Sequence, residues 1–290
     1  MTALQISQKE FYHEHGYVII SNAVPQKNLD VAVAAISEFL GIDFDNHNSW
    51  YSIAPSVNKD NGDGKGPVSL AGMVELYQHQ ALWDNRQYPL IHQIFSDIWG
   101  TEKLLVTLDR VNMKPPISID HPEWDHPGMI HWDINTSLNP LPHDVQGVLY
   151  LTDTTEEQGG FQCIPGFHKE FKEWVKTQPQ DRDPFHPDID KAKIKSIPGK
   201  AGDLLIWNSM LPHGNGANKS DRLRLAQYIS MFPAEKASSN EVNERICSWR
   251  ERRSTKDWPG DPRHWEQKNL REPAVLTKLG RRLLGIDQWY

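Results

Sequence analysis

Met129-Ile130-His131-Trp132-Asp133-Ile134-Asn135, taken with the distant Leu211-Pro212-His213-Gly214-Asn215-Gly216, decides how this chain is understood. Residues i and i+2 of a strand point to one face. A strand over 129–135 would therefore aim His131 and Asp133 at one point and turn Trp132 away. Two imidazoles and one carboxylate are the donors of the 2-His-1-carboxylate facial triad, which holds non-haem Fe(II) and leaves the opposite face of the metal open.

The spacing alone is weak evidence. A His followed two residues later by Asp or Glu occurs five times: His121/Glu123, His131/Asp133, His168/Glu170, His186/Asp188 and His264/Glu266. Pro122 and Pro187 interrupt two of these pairs and make poor ladder strands. His168 follows the turn Pro165-Gly166-Phe167 and enters a charged helix start, while His264 sits in a polar C-terminal stretch. Only His131/Asp133 combines strand surroundings with a preceding turn, Pro127-Gly128. Gly202-Asp203-Leu204-Leu205-Ile206-Trp207-Asn208 reads as a turn and an apolar strand, with His213 just beyond as the third ligand. A lone His is usually structural; beside a strand-borne His-x-Asp, the ligand reading gains.

Strand patterns surround this pair at 103–112, 145–152, 161–164, 203–208 and 222–232, separated by Gly, Pro and Asn clusters, which favours a sandwich or barrel. Upstream, Ser7 and Glu10 stand at capping-box spacing before a short helix, and residues 17–21 read as a strand. Residues 25–40 and 71–99 read as helical, 41–70 as a long irregular segment, and 274–284 as a closing helix. The expected organisation is a single unit over 1–290. It has a mostly helical part at 1–100, a β core at 101–235 and a C-terminal extension at 236–290.

Composition narrows the function classes. In 290 residues, 38% hydrophobic and 24% charged content with eleven Trp suit a soluble globular protein and argue against disorder. The longest apolar runs are strand-sized, so no membrane span is expected, and the N-terminus lacks a signal-peptide pattern. Cys163 and Cys247 build no disulfide framework, which points to a reducing cytoplasm. A formal charge of −7 removes the footprint of a nucleic-acid binder, and Arg250-Glu251-Arg252-Arg253 reads as a solvated face. A small-molecule substrate is the expected partner.

Arg224, in Arg222-Leu223-Arg224-Leu225-Ala226-Gln227-Tyr228, adds a further element. A dicarboxylate that chelates a metal at one end needs a fixed cation at the other, and a guanidinium fork meets a carboxylate through two bonds. Arg222 shares a face with Arg224, so alternation does not choose between them.

These segments resemble the phytanoyl-CoA dioxygenase family. The resemblance rests on His131-Trp132-Asp133 and on 152–169, with Thr152-Asp153-Thr154-Thr155-Glu156-Glu157-Gln158-Gly159-Gly160 leading to Pro165-Gly166-Phe167-His168. It rests also on Gly202-Asp203-Leu204-Leu205-Ile206-Trp207 followed by His213-Gly214-Asn215-Gly216. It implies a mainly β fold with flanking helices, a double-stranded β-helix (jelly-roll, cupin-like) core, and dependence on Fe(II), 2-oxoglutarate and O₂. Carried over by position, His131, Asp133 and His213 are the implied iron ligands. Arg224 grips the 2-oxoglutarate carboxylate, Lys114 contacts the cosubstrate, and His168 falls in a turn and is no ligand. Phe167 stands where the family usually has Ser, and Val148 where a Trp is common. A carboxylate at Asp133 argues against the related halogenases, which have a small residue there.

The implied reaction is oxidation of a C–H bond of a small organic metabolite, by default hydroxylation, with release of succinate and CO₂. Candidate substrate contacts are Trp50 and Tyr51 in the irregular segment and Arg110 and Asn112 on the early strand. Few basic residues near these loops favour a free small molecule over an acyl-CoA. The alternative is a metal- and small-ligand-binding jelly-roll without turnover, against which the cosubstrate arginine stands.

Overall fold

The computed structural model describes residues 3–55, 66–126 and 128–289. Residues 56–65 of the irregular segment, and Pro127 of the turn expected before His131, lie outside the described residues. The first half runs α1 (Ile6–His15), β1 (Tyr17–Ile20), α2 (Gln26–Leu40), β2 (Met73–Val74), α3 (Gln80–Arg86), α4 (Pro89–Trp99), β3 (Leu104–Val106) and β4 (Val111–Lys114). The second half runs β5 (Val145–Tyr150), β6 (Phe161–Cys163), α5 (Phe167–Trp174), β7 (Lys195–Ser196), β8 (Leu204–Asn208), β9 (His213–Asn215), β10 (Arg224–Tyr228) and β11 (Met231–Pro233). Helices α6 (Ser239–Glu251), α7 (Trp265–Asn269) and α8 (Lys278–Leu284) close the chain.

Six antiparallel strands form the main sheet in the order β1-β8-β5-β10-β4-β2. Its strands are apolar on both faces because both faces are covered. Leu149, Leu204, Ile206 and Leu225 pack with Ile36 and Phe39 of α2 and Ile91, Ile94 and Phe95 of α4. Their alternates Val148, Tyr150, Leu205, Trp207 and Ala226 pack inward with Phe161 and Cys163 of β6. A second sheet, β7-β6-β9, supplies that inner partner, giving the jelly-roll with helices on its outer face. The same alternation turns Gln146, Asn112, Lys114, Arg224 and Tyr228 inward. That inner face is where polar groups can meet a ligand.

Two expected strands are each broken in two, at the same place. The run at 103–112 divides into β3 and β4, and that at 222–232 into β10 and β11; β4 and β10 pair in the main sheet, β3 and β11 in a small sheet of their own. At the break the Thr107 amide donates to the Ser230 carbonyl (2.8 Å) and the Ser230 amide to Thr107 Oγ1 (3.1 Å). Between Thr107 and Arg110, whose carbonyl accepts the Tyr228 amide (3.0 Å), Leu108 and Asp109 bulge out of the ladder.

Other expectations are corrected locally. The cap of α1 is Gln5 with Gln8, not Ser7 with Glu10. Residues 71–99 hold β2 before two short helices, the second opened by Pro89 at its first position. The mostly helical N-terminal part thus also gives β1 and β2 to the main sheet. The closing helix is confined to α8, capped by Thr277. The C-terminal extension is tied to the core by buried polar groups. Glu266 accepts the Tyr77 and Gln78 amides (2.9 and 2.6 Å), and Arg245 donates to the Val106, Leu283 and Leu284 carbonyls. Among the described residues, no helix is long and apolar enough to cross a membrane.

Candidate metal centre

Residues 129–135 are not the strand expected from their sequence. Gly128 bridges Gly216 and His131 bridges His213, both in one antiparallel register along the outer edge of β9. Beyond His131 the ladder ends, because the Trp132 amide donates instead to the Phe185 carbonyl (2.8 Å) and the Thr136 amide to that of Pro184 (3.3 Å). Asp133 therefore lies just past a strand end. His131 and His213 are direct cross-strand partners, joined by two backbone bonds of 2.8 and 2.9 Å. So close an approach requires Gly214, where a Cβ would fall 1.8 Å from the Met129 carbonyl oxygen. Trp132 is buried on the other side, its indole donating to the Met210 carbonyl (3.0 Å) among Phe167, Phe171 and Trp174.

The three side chains converge. One donor atom from each of His131, Asp133 and His213 lies within 4.8 Å of the others, with His131 Nε2 3.3 Å from Asp133 Oδ1 and His213 Nε2 3.2 Å from Oδ2. His213 Nδ1 faces the Leu211 carbonyl at 2.9 Å. A carbonyl only accepts, so Nδ1 carries a proton; Nε2 faces Asp133 and, once deprotonated, would offer its lone pair to a metal. Asp133 is desolvated by the surrounding walls, but hydrogen bonds and charge from the two imidazoles outweigh this and hold its carboxyl well below the usual carboxylate range. Desolvation likewise opposes the His131 charge, and Asp133 overrides it, raising that imidazole. An ionised carboxylate flanked by two imidazoles at this spacing is the donor set of a divalent transition metal with an open face.

A second constellation lies deeper on the inner face. Arg224 is fully buried; Nη1 donates to Asn112 Oδ1 (2.7 Å), while Nε and Nη2 have no partner among the described residues. Its cross-strand neighbour is Lys114, also buried, whose amine donates to the Gly216 carbonyl. Burial, and then the charge of Arg224, push the Lys114 amine down to about 7. Two adjacent buried cations with open donors call for an anion, since an unpaired buried charge is strongly unfavourable. The ambiguity between the arginines disappears: Arg222 is exposed and lies outside β10.

His131, Asp133 and His213 open onto a cavity of about 880 Å³. Asp109, Arg110, Gln146, Phe161, Trp207 and Tyr228 line it from the core, and Glu241, Glu244, Arg245 and Trp258 from the C-terminal extension. Arg110 is in the wall as expected, but committed: Nη1 bonds Glu75 Oε1 (2.8 Å) and the guanidinium lies 4.3 Å from the Trp258 ring. Asn112 is not in the wall. Its amide is spent on Arg224 and the Ala71 carbonyl. Trp50 and Tyr51 are not there either: Trp50 Nε1 bonds the Phe44 carbonyl (2.9 Å), and Tyr51 bonds the Pro116 carbonyl (2.8 Å) and stacks on His121. Buried aromatics in a loop were serving the core. Sequence reasoning missed Gln146 and Tyr228, which inward alternation in β5 and β10 would have found, and the wall from the extension, for which no local signal exists.

Comparison with known proteins agrees with this geometry. The family model described as phytanoyl-CoA dioxygenase (PhyH) matches residues 12–226. A Dictyostelium discoideum protein named for the phytanoyl-CoA dioxygenases is 24% identical, over 81% of this chain and 78% of its own. Ava biosynthesis cluster protein O of Aspergillus versicolor is 26% identical, over 82% of this chain and 80% of its own. Among solved structures, the hypothetical protein JW0805 of Escherichia coli superposes with a TM-score of 0.71 at 15% identity, covering 98% of this chain and 82% of that one. The non-haem α-ketoglutarate-dependent carbocyclase SnoK of nogalamycin biosynthesis does so with a TM-score of 0.53 at 21% identity, covering 81% and 87%. With the match spanning most of the sequence and including His131, Asp133 and His213, the chain belongs to the phytanoyl-CoA dioxygenase family.

Proposed function

We propose that this protein is an Fe(II)- and 2-oxoglutarate-dependent dioxygenase that hydroxylates a C–H bond of a small, neutral or cationic metabolite. In a protein whose His131, Asp133 and His213 converge as a metal-binding set, the observation that carries the reading is the buried Arg224 guanidinium, with two open donors, on the inner face of the main sheet. A protein that merely binds a metal has no need of it. When bound, Fe(II) with 2-oxoglutarate and O₂ supplies the oxidant for the C–H bond, the cosubstrate leaving as succinate and CO₂.

The chain's own residues do the rest. His131, Asp133 and His213 hold the metal from one side. Arg224 and Lys114 take the far carboxylate of the cosubstrate, and Asn112 fixes the guanidinium plane so that its free edge faces the ligand. Phe161 and Trp207 pack against the His213 ring and keep water from that side. The cavity is poorly suited to a polyphosphate. Apart from the metal ligands, its acidic side chains are Asp109, Asp144, Glu241, Glu244 and Asp257, against Arg110, Arg245 and Lys256. Of those three, Arg110 is paired with Glu75 and Arg245 with backbone carbonyls. The balance supports a free metabolite over a CoA ester.

The test is Fe(II)-dependent succinate formation from 2-oxoglutarate, screened against metabolites for stimulation. Asp133→Ala is expected to abolish it with the fold intact. Succinate formation unchanged in that variant would remove the metal centre from the reaction, and metal binding without succinate under any condition would favour a binding protein.

A further inference from the structure

The outer oxygen of Asp133 is not left to itself. Gln146 Nε2 donates to Asp133 Oδ2 at 2.6 Å, and Trp207 Nε1 donates to Gln146 Oε1 at 3.1 Å. Gln146 and Trp207 are direct cross-strand partners on β5 and β8, in the middle of the main sheet. The direction of this relay is fixed by chemistry. An indole N–H only donates, so the amide oxygen must face Trp207 and the amide NH₂ must face the carboxylate. The Trp207 ring is itself held, buried against Phe161 (centroids 4.5 Å apart) and His213 (5.1 Å). One rigid aromatic thus bears on two metal ligands, on His213 by packing and on Asp133 through Gln146.

We propose that Gln146 is a positioning residue that keeps Asp133 Oδ2 out of the coordination sphere, so that the carboxylate binds the metal through Oδ1 alone. Asp133 stands past the end of a strand, with half its side chain exposed to the cavity, so no backbone ladder sets its rotation. Oδ1 lies on the His131 side and Oδ2 on the His213 side, at 3.3 and 3.2 Å, an arrangement from which either or both oxygens could ligate. The 2.6 Å bond from Gln146 distinguishes them. A carboxylate ligating through both oxygens would take a fourth position and crowd the face that must accept a chelating cosubstrate and O₂. The relay reserves that face.

The inference rests on the iron reading above, and Co(II) alone, added to the full-length protein, separates the two. Wild type should bind Co(II) with a visible absorption typical of its coordination number. Gln146→Leu should weaken Co(II) binding by about 10- to 100-fold, the usual effect of losing a hydrogen bond to a ligand. It should also change the Co(II) spectrum, as Oδ2 joins the metal. Trp207→Phe, which removes the indole donor to Gln146 and keeps an aromatic ring beside His213, should move both readouts the same way but less. Unchanged thermal unfolding of the metal-free variants excludes a folding defect, and Gln146→Met repeats the test if leucine disturbs the fold. A Gln146→Leu protein with wild-type affinity and spectrum overturns the proposal while leaving the metal centre standing. Wild type that binds no Co(II) overturns the metal centre itself, and the positioning role with it.

Discussion

Replacing Arg224 by Met separates binding from stability, because the same atoms have opposite effects on the two. Nε and Nη2 are the donors without partners in the fully buried guanidinium. If both engage the 2-oxoglutarate carboxylate, each charge-assisted bond contributes about 1.5–3 kcal/mol. The pair then gives about 3–6 kcal/mol, on the order of 10²- to 10⁴-fold in Kd. Folding behaves differently. Replacing buried charged groups by well-packed apolar ones of similar volume is neutral or stabilising by about 1–4 kcal/mol even where the charges are paired, while stranding Asn112 Oδ1 without its donor costs about 1–3 kcal/mol. The two nearly cancel, so the ligand-free variant should unfold within a few degrees of wild type. The assay is calorimetric titration of 2-oxoglutarate into Mn(II)-loaded protein, with thermal unfolding alongside. Arg222→Met, at an exposed site, should bind almost as wild type does. An Arg224→Met Kd within tenfold of wild type, or a larger loss at Arg222, would refute the assignment of the anion site.

Other consequences can be checked in parallel. Gly214→Ala drives a methyl into the Met129 carbonyl and must part the His131–His213 backbone pair; a loss of at least about 1–3 kcal/mol in urea unfolding should accompany collapse of metal affinity. At pH 8 the Lys114 amine, depressed to about 7, is mostly neutral, and an incoming carboxylate raises it. Binding of 2-oxoglutarate should then take up protons, seen as a buffer-dependent enthalpy that vanishes in Lys114→Met. For the ligand-free protein the sign follows from the unfolded chain binding more protons than the folded one between about 7 and 10.4, so the Lys114 contribution to stability rises with pH across that window. Glu266→Gln places an amide NH₂ against one of two backbone N–H groups and should cost about 1–3 kcal/mol in chemical unfolding without changing metal affinity.

The parts of this protein that could be read in advance are those governed by short-range periodicity. Apolar runs bounded by turn residues marked β5 and β8, alternation marked β10, and the apolar spacing of 25–40 marked α2, because each is buried on faces that its own residues determine. Distant partners governed the rest. Nothing within 129–135 announces that the Phe185 carbonyl will take the Trp132 amide and end the strand, nor within 103–112 that Thr107 and Ser230 will break two strands together. At the site, residue types with few alternative roles were legible: a His-x-Asp at a turn, a second His after an apolar strand, and a pair of arginines on one strand face, of which the family resemblance singled out Arg224. Trp50, Tyr51 and Asn112 were ambiguous by chemistry, since an aromatic or an amide serves a core or a neighbouring side chain as readily as a ligand. Only their hydrogen bonds decide.

The cavity has walls of different provenance. His131, Asp133 and His213 fall within the stretch 12–226 matched by the family model, whereas Glu241, Glu244, Arg245 and Trp258 lie beyond it. The stretch matched by the family also gives the cavity Asp109, Arg110, Gln146, Phe161 and Trp207, so its walls join two passages of the polypeptide pressed together only by folding. Substitutions in the later passage can reshape what the pocket admits without moving an atom that handles the metal. Exchanging 237–258 between relatives is expected to alter what the cavity admits, read as a change in which metabolites stimulate succinate formation.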